Sequence, residues 1–280
     1  MRSRTSTLRF ILAGRSAKIG IGLVAAVLVF VLIASLATPY SPDAIVGDPN
    51  SPPTLAHLFG TDYIGHDLLS QVAWGAFPSL FVSLYISILS TMVGFLAGIV
   101  SGYYERMESV VGLLTDVTMS FPPLPLLITI GSIFSGDTTL IDISLIFVMW
   151  ALVSRAVRSQ TARAKKLAFV DAAKASGMPD RRIVSNVMMP LVLPIAVAYF
   201  VINLALALIL ITSLQFLGVG NPLLVNWGSI LYWAELYGFS AGDWWWILFP
   251  GLLLSLTTIG FAFFGFSLEE FSNPRLRRAS

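Results

Sequence analysis

Five stretches of this 280-residue chain are long and apolar enough to cross a bilayer as helices, and a sixth comes close. A span needs about 20 mostly apolar residues to cover roughly 30 Å of hydrocarbon. Residues 19–38, 79–102, 191–214 and 244–268 qualify without a single charge, and 112–134 qualifies with Asp116 near one end. The weak case is 142–158, whose uncharged centre is 143–154; Arg155 and Arg158 can snorkel from its end to the interface. Composition agrees: 56% of residues are hydrophobic and 11% charged, against about 25% charged in soluble domains. The expected fold class is all-α, a polytopic membrane protein of six transmembrane helices. The chain has no cysteine, which excludes disulfides, thiolate metal sites and a cysteine nucleophile.

The positive charges fix a sidedness. Arg2, Arg4, Arg9, Arg15 and Lys18 precede the first span, and Arg106 lies between the second and third. Arg155, Arg158, Arg163, Lys165, Lys166, Lys174, Arg181 and Arg182 lie between the fourth and fifth, and Arg275, Arg277 and Arg278 follow the sixth. With six spans, all 17 Lys and Arg fall on one face; segments 39–78, 135–141 and 215–243 hold none. The positive-inside rule makes the basic face cytoplasmic and places both termini there. The expected organisation is a cytoplasmic segment over 1–18, a transmembrane domain over 19–268 with a cytoplasmic loop at about 159–190, and a cytoplasmic tail over 269–280. The first apolar run exceeds a signal-peptide core of 7–15 residues and reads as a span. Residues 41–54, rich in Pro and Gly, read as an external loop.

One polar stretch stands out, VDAAKASGMPDRRIVSNVMMPLVLP over residues 170–194. The spacing predicts a helix over 162–176 with Leu167, Val170 and Ala173 on one face. Gly177 can take the left-handed conformation that ends it, and Pro179 suits the first turn of a second helix reaching Met189. Ala172 and Ala173 are small enough for a partner's backbone to approach. These residues also fit an amphipathic helix resting on anionic lipid headgroups.

Asp171-Ala172-Ala173, three residues and Gly177, with Met189-Pro190 beyond, resembles the EAA loop of ATP-binding-cassette importer permeases. Asp171 stands for the usual Glu and Met189 for the usual Leu. HLFGTDYIGHDLLSQVAWGAFPSL (57–80), LQFLGVGNPLLVNWGSIL (214–231) and DWWWILFPGL (243–252) resemble the dipeptide/oligopeptide branch, which also includes importers of oligosaccharides and nickel. That branch usually has Arg where His66 stands, and the SLEEFSNPRLRR end departs from its usual tail. The resemblance covers roughly residues 55–270. It implies a type I importer permease fold, in a prokaryotic cell membrane, working by alternating access. The implied partners are a second, related permease, two cytoplasmic ATP-binding subunits and an external solute-binding protein, with membrane lipid around the spans. It makes Asp171, Ala172, Ala173 and Gly177, with Leu167 and Val170, the expected ATPase-coupling site. The expected cargo is a peptide-like or oligosaccharide-like solute.

Other residues leave alternatives open. Asp116, Asn203 and Gln215 are candidates for gating or the pathway; Asn203 and Gln215 could equally hydrogen-bond a neighbouring helix. His57, His66, Asp62 and Asp67 fit no specific metal-ligand spacing and read as a satisfied loop network. Gly94, Gly98 and Gly102 read as close helix packing, Pro122, Pro123 and Pro125 as a kink in the third span, and Trp244, Trp245 and Trp246 as an interfacial anchor at the outer surface. No Gly-Lys pair occurs, so no phosphate-cradling loop of an ATPase is present. No nucleophile–base pair, cofactor motif or nucleic-acid patch is present either, and the chain is not expected to be an enzyme. The competing reading is a secondary transporter or channel whose basic loop binds lipid; against it, no charge lies at a span's centre to relay protons.

Overall fold

The computed structural model describes residues 14–134, 137–238 and 242–272, and among these every regular element is helical. The N-terminal arginines Arg2, Arg4 and Arg9 and the tail arginines Arg275, Arg277 and Arg278 lie outside the described residues, as do the ends of the expected cytoplasmic segments. Five helices are long and apolar enough to span a membrane, or six when one bent pair counts as a single span.

The first helix, α1 (Arg15–Ala37), is followed by a long loop over 38–67. Helix α2 (Leu68–Tyr103) begins where the Asp67 carboxylate accepts the Ser70 N–H at 2.9 Å. Its 36 residues make it about 54 Å long, so it extends well beyond the hydrocarbon. The chain then turns at Tyr104 into α3 (Glu105–Ser120) and α4 (Pro123–Ile133). The kinked span expected over 112–134 is in fact two helices bent by 83°. Phe121 and Pro122 each precede a proline, which disfavours helical backbone angles at both, and both are extended. One proline bends a helix, whereas two such residues in a row break it.

Helix α5 (Thr138–Ala164) is capped by Asp137, whose Oδ1 accepts the Thr139 and Leu140 N–H groups. Short helices α6 (Ala168–Ala175) and α7 (Asp180–Ile183) follow, then a π-helical turn (Val184–Met188) that runs straight into α8 (Met189–Phe216). The helix expected from residue 162 starts at Ala168, because the preceding span continues through Ala164 and carries Arg155, Arg158 and Arg163 with it. The chain returns through α9 (Trp227–Trp233), a second π-helical turn (Ala234–Gly238) and α10 (Trp244–Ser272).

The central pair is α2 against α5. A Cβ added at Gly94, Gly98 or Gly102 would meet the carbonyl oxygens of Trp150, Ser154 and Arg158 at 2.5, 2.7 and 2.7 Å. Three glycines four residues apart thus let two backbones touch along three turns. Near the start of α2, α9 is wedged against it: the Trp227 indole N–H donates to the Val72 carbonyl at 2.9 Å and its backbone N–H to Ser79 Oγ at 3.0 Å. Of the expected tryptophan anchor only Trp244 is exposed; Trp245 and Trp246 are buried in the cluster around Trp227. Consecutive helical residues point about 100° apart, so three in a row cannot share one face.

Candidate functional site

The polar loop folds into a knob on the side of the membrane where α2 and α5 end. Helix α5 stops at Ala164, and a tight turn closes with the Leu167 N–H on the Ala164 carbonyl at 3.1 Å. Helix α6 then runs for two turns and stops at Gly177, which has φ +77°. The Met178 N–H donates to the Ala173 carbonyl at 3.1 Å and the Gly177 N–H to the Lys174 carbonyl at 3.0 Å. This double bond pattern is a Schellman stop, and Met178 packs with Ala173 beneath it.

The knob has two distinct sides. Val170 is fully buried and Ala173 half-buried against Tyr103 and Ala164, the ends of α2 and α5, and against Ile183 of α7 and Met188 of the π-helical turn. Asp171, Ala172 and Gly177 are exposed on the other side, with Leu167 44% and Phe169 49% exposed beside them. Leu167 therefore does not share the inner face with Val170 and Ala173. It caps the helix with extended angles, and helical periodicity does not reach it. Sequence reasoning overlooked the exposed Phe169. It lies about 100° from the inward Val170, and that offset was the signal available.

Polar contacts tie the knob's flanks to the span ends. The Tyr103 hydroxyl donates to Asp180 Oδ1 at 2.6 Å. The ammonium groups of Lys165 and Lys174 lie 5.8 and 5.5 Å from the centre of the Tyr103 ring, within cation–π range. Lys165 also pairs with Glu105 at 3.1 Å. Sequence reasoning missed Tyr103 and Asp180, whose pairing leaves no local pattern.

The three gating or pathway candidates are not brought together. Asp116 is exposed on α3. Asn203 is fully buried in α8 and donates from Nδ2 to Ser90 Oγ at 3.1 Å, while its Oδ1 has no partner among the described residues. It borders a cavity of about 280 Å³ at the α3–α4 break, with Phe121, Pro123, Met149 and Leu152. Gln215 is half-buried at the far end of α8, packed over Gly228.

At the opposite end of α2, the 38–67 loop is organised by Asp62. Its Oδ1 accepts the N–H groups of Ile64, Gly65 and His66, each at 2.9 Å, and its Oδ2 meets His66 Nδ1 at 2.7 Å and Gln71 Nε2 at 3.1 Å. His57 Nδ1 pairs with Asp67 Oδ1 at 2.9 Å. Asp62 and Asp67 are both buried, and they hold the turn that launches α2. Every one of these four residues has its partner within the loop and the start of α2.

Residues 90–278 match the family described as binding-protein-dependent transport system inner membrane component. A Brucella suis biovar 1 chain named for a peptide transport system permease is 31% identical, over 97% of this chain and 92% of its own. The dipeptide transport system permease protein DppC of Bacillus subtilis is 28% identical, over 90% and 81%. The oligopeptide transport system permease protein OppC of Haemophilus influenzae is 28% identical, over 91% and 83%. The family match covers more than half the chain, including the knob and the helices α5, α8 and α10. The chain therefore belongs to the binding-protein-dependent transport system inner membrane components, as a multi-pass permease subunit of an ATP-driven importer rather than an enzyme in its own right.

Proposed function

We propose that this permease carries a peptide-like solute, pairs with a second, related permease, and is driven through the α6 knob by two cytoplasmic ATP-binding subunits. The observation that carries the reading is the two-sided knob. One side, Val170 and Ala173, is buried on the span ends, and the other, Asp171 and Ala172, is free to meet a soluble partner. The relatives named for dipeptides, oligopeptides and peptides support the substrate class. The placement of every Lys and Arg on the knob's side supports a cytoplasmic knob and cytoplasmic termini. The opposite face carries Asp43, Asp48 and Glu235 with no basic residue, and it receives the external binding protein. Asp171, Ala172 and Gly177 form the coupling surface; Val170 and Ala173 seat it. ATP-driven closure of the partner subunits displaces the knob, and the spans answer by exposing the pathway to the other side. Such coupling requires contacts that differ in free energy between the two states.

The test is co-purification of the detergent-solubilised chain, wild type and Ala172→Arg, with partners identified by mass spectrometry. Ala172 is exposed, so the substitution leaves the knob's buried seat intact. The wild type is expected to bring down an ATPase and a sister permease, and the variant to lose the ATPase alone. A wild type that comes down by itself, or a variant that keeps its ATPase, overturns the coupling surface.

A further inference from the structure

We infer that Tyr103 is the positioning residue that makes the knob and the α2–α5 pair move as one body. The inference rests on the reading of the knob as the ATPase-coupling element and adds the route by which its displacement enters the membrane.

The knob is joined covalently at two places. One is the turn after Ala164, leading from α5; the other is the stretch from Ser176 to Pro179, leading to α7 and α8. A body held at two short connections can still rock about the line that joins them. Rocking would dissipate the displacement, and α2 has no covalent link to the knob. A third attachment on α6 itself limits that freedom, and Tyr103 supplies it through Val170 and Lys174. It is the last residue of α2, with only 3% of its surface exposed. Its ring packs beside Val170 of α6 and against Ile183 and Met188 on the return limb. Its hydroxyl reaches Asp180, the first residue of α7, at 2.6 Å, the short distance of a hydrogen bond to a charged acceptor. Lys174 of α6 and Lys165 at the end of α5 both place their cations over the ring. One side chain thus touches both limbs of the knob and both helices of the central pair.

The pair it grips is stiff. Gly94, Gly98 and Gly102 bring the α2 backbone onto that of α5 over three turns, up to one residue before Tyr103. A force delivered at Tyr103 is therefore passed to two spans together. A groove of about 690 Å³ opens beside this contact, between the knob and the α2–α3 corner, and is lined by Tyr103, Asp180, Glu105, Met107, Lys165 and Lys174.

The absence of cysteine allows a direct test. Spin labels are attached through Val100→Cys on α2 and Ala175→Cys on α6, both partly or fully exposed. The assembled transporter is measured nucleotide-free and with ATP trapped by a hydrolysis-deficient ATPase. With Tyr103 present, the label separation is expected to stay the same in both states. With Tyr103→Leu, which removes the hydroxyl and the aromatic face, it is expected to shift and broaden when ATP is trapped. Tyr103→Phe keeps the ring and its packing, so it is the variant safest from misfolding. It is expected to fall between the two and to match Asp180→Asn, with the double variant no worse than either single one. The ratio of uptake of a labelled dipeptide to ATP hydrolysed is expected to drop in the same order, while the ATPase remains bound. Unchanged separation in Tyr103→Leu, or a nucleotide-dependent change with Tyr103 in place, overturns the inference while the coupling knob stands. Loss of the ATPase from the unsubstituted chain overturns the coupling reading itself.

Discussion

Replacing Gly98 by alanine sets two effects of opposite sign against each other, and the structure decides between them. In an open helix, Gly→Ala is favourable by up to about 1 kcal/mol, because glycine loses more backbone freedom on ordering. At position 98 the new Cβ would sit 2.7 Å from the Ser154 carbonyl oxygen and 2.7 Å from Val157 Cβ. Ordinary contact distances are about 3.5 Å or more, so α2 and α5 must part by nearly 1 Å. A gap of about that size forfeits a quarter to a half of each affected contact, and overpacking of this kind typically costs about 1–3 kcal/mol. The net expectation is a loss of about 1–2 kcal/mol. Gly22 on α1 is the control, because a Cβ there meets nothing within 4 Å. Gly22→Ala is expected to be neutral or stabilising. The assay is unfolding of the purified, isolated chain in mixed micelles with rising SDS, followed by helical circular dichroism. The double variant Gly94→Ala/Gly98→Ala carries a second expectation. Once the helices have separated for one methyl, the next costs less, so the double should lose less than the sum of the singles. A Gly98→Ala chain as stable as wild type, or a Gly22→Ala chain equally damaged, would refute the close-packing argument.

Two further perturbations test the loop before α2 and the start of α10. Asp62→Ala strands the Ile64 and His66 N–H groups that its carboxylate now accepts, at about 1–3 kcal/mol for each that stays buried, while the Gly65 N–H keeps the Asp62 carbonyl at 3.1 Å; the thermal midpoint should fall clearly and the 39–67 loop should become open to protease, and an unchanged midpoint would show that the loop does not depend on this carboxylate. Asp243 is buried, its Oδ2 lacks a partner among the described residues, and burial pushes its carboxyl above the ordinary range. A raised carboxyl favours the folded state when protonated, so this penalty is absent below about pH 4 and develops as pH rises through the folded value. Asp243→Asn should therefore raise the thermal midpoint at pH 7.5 and lose that advantage near pH 4; an advantage that is constant with pH would remove ionisation as the cause.

Where the folded chain follows local rules, its features were legible in advance. Gly177 stops α6 because only a residue without Cβ takes φ +77° easily, and glycine spacing of four marks a face on any helix. The double proline at 122–123 forces a break for equally local reasons, although the expectation stopped at a kink. Phe169, Leu167 and the Trp244–Trp246 run were misjudged or missed for the opposite reason. Their exposure depends on which side of a short helix meets the span ends, and periodicity gives relative angles without saying which angle points inward. Of the coupling-loop residues, Asp171, Ala172 and Gly177 face outward, whereas Val170 and Ala173 seat the knob, a division that the shared motif conceals.

By itself the sequence determined the membrane class and the approximate spans, and with six spans it set the expectation that every Lys and Arg lies on one side. Hydrophobicity and charge act against the bilayer residue by residue, without reference to a partner. Only the tertiary structure decided that the glycine stripe of α2 meets α5, that the third span folds back by 83°, and that Tyr103 reaches Asp180 across 77 residues of chain. Those contacts join groups far apart in sequence, and they form because backbones that can approach closely in lipid gain packing and hydrogen bonds that no local rule specifies.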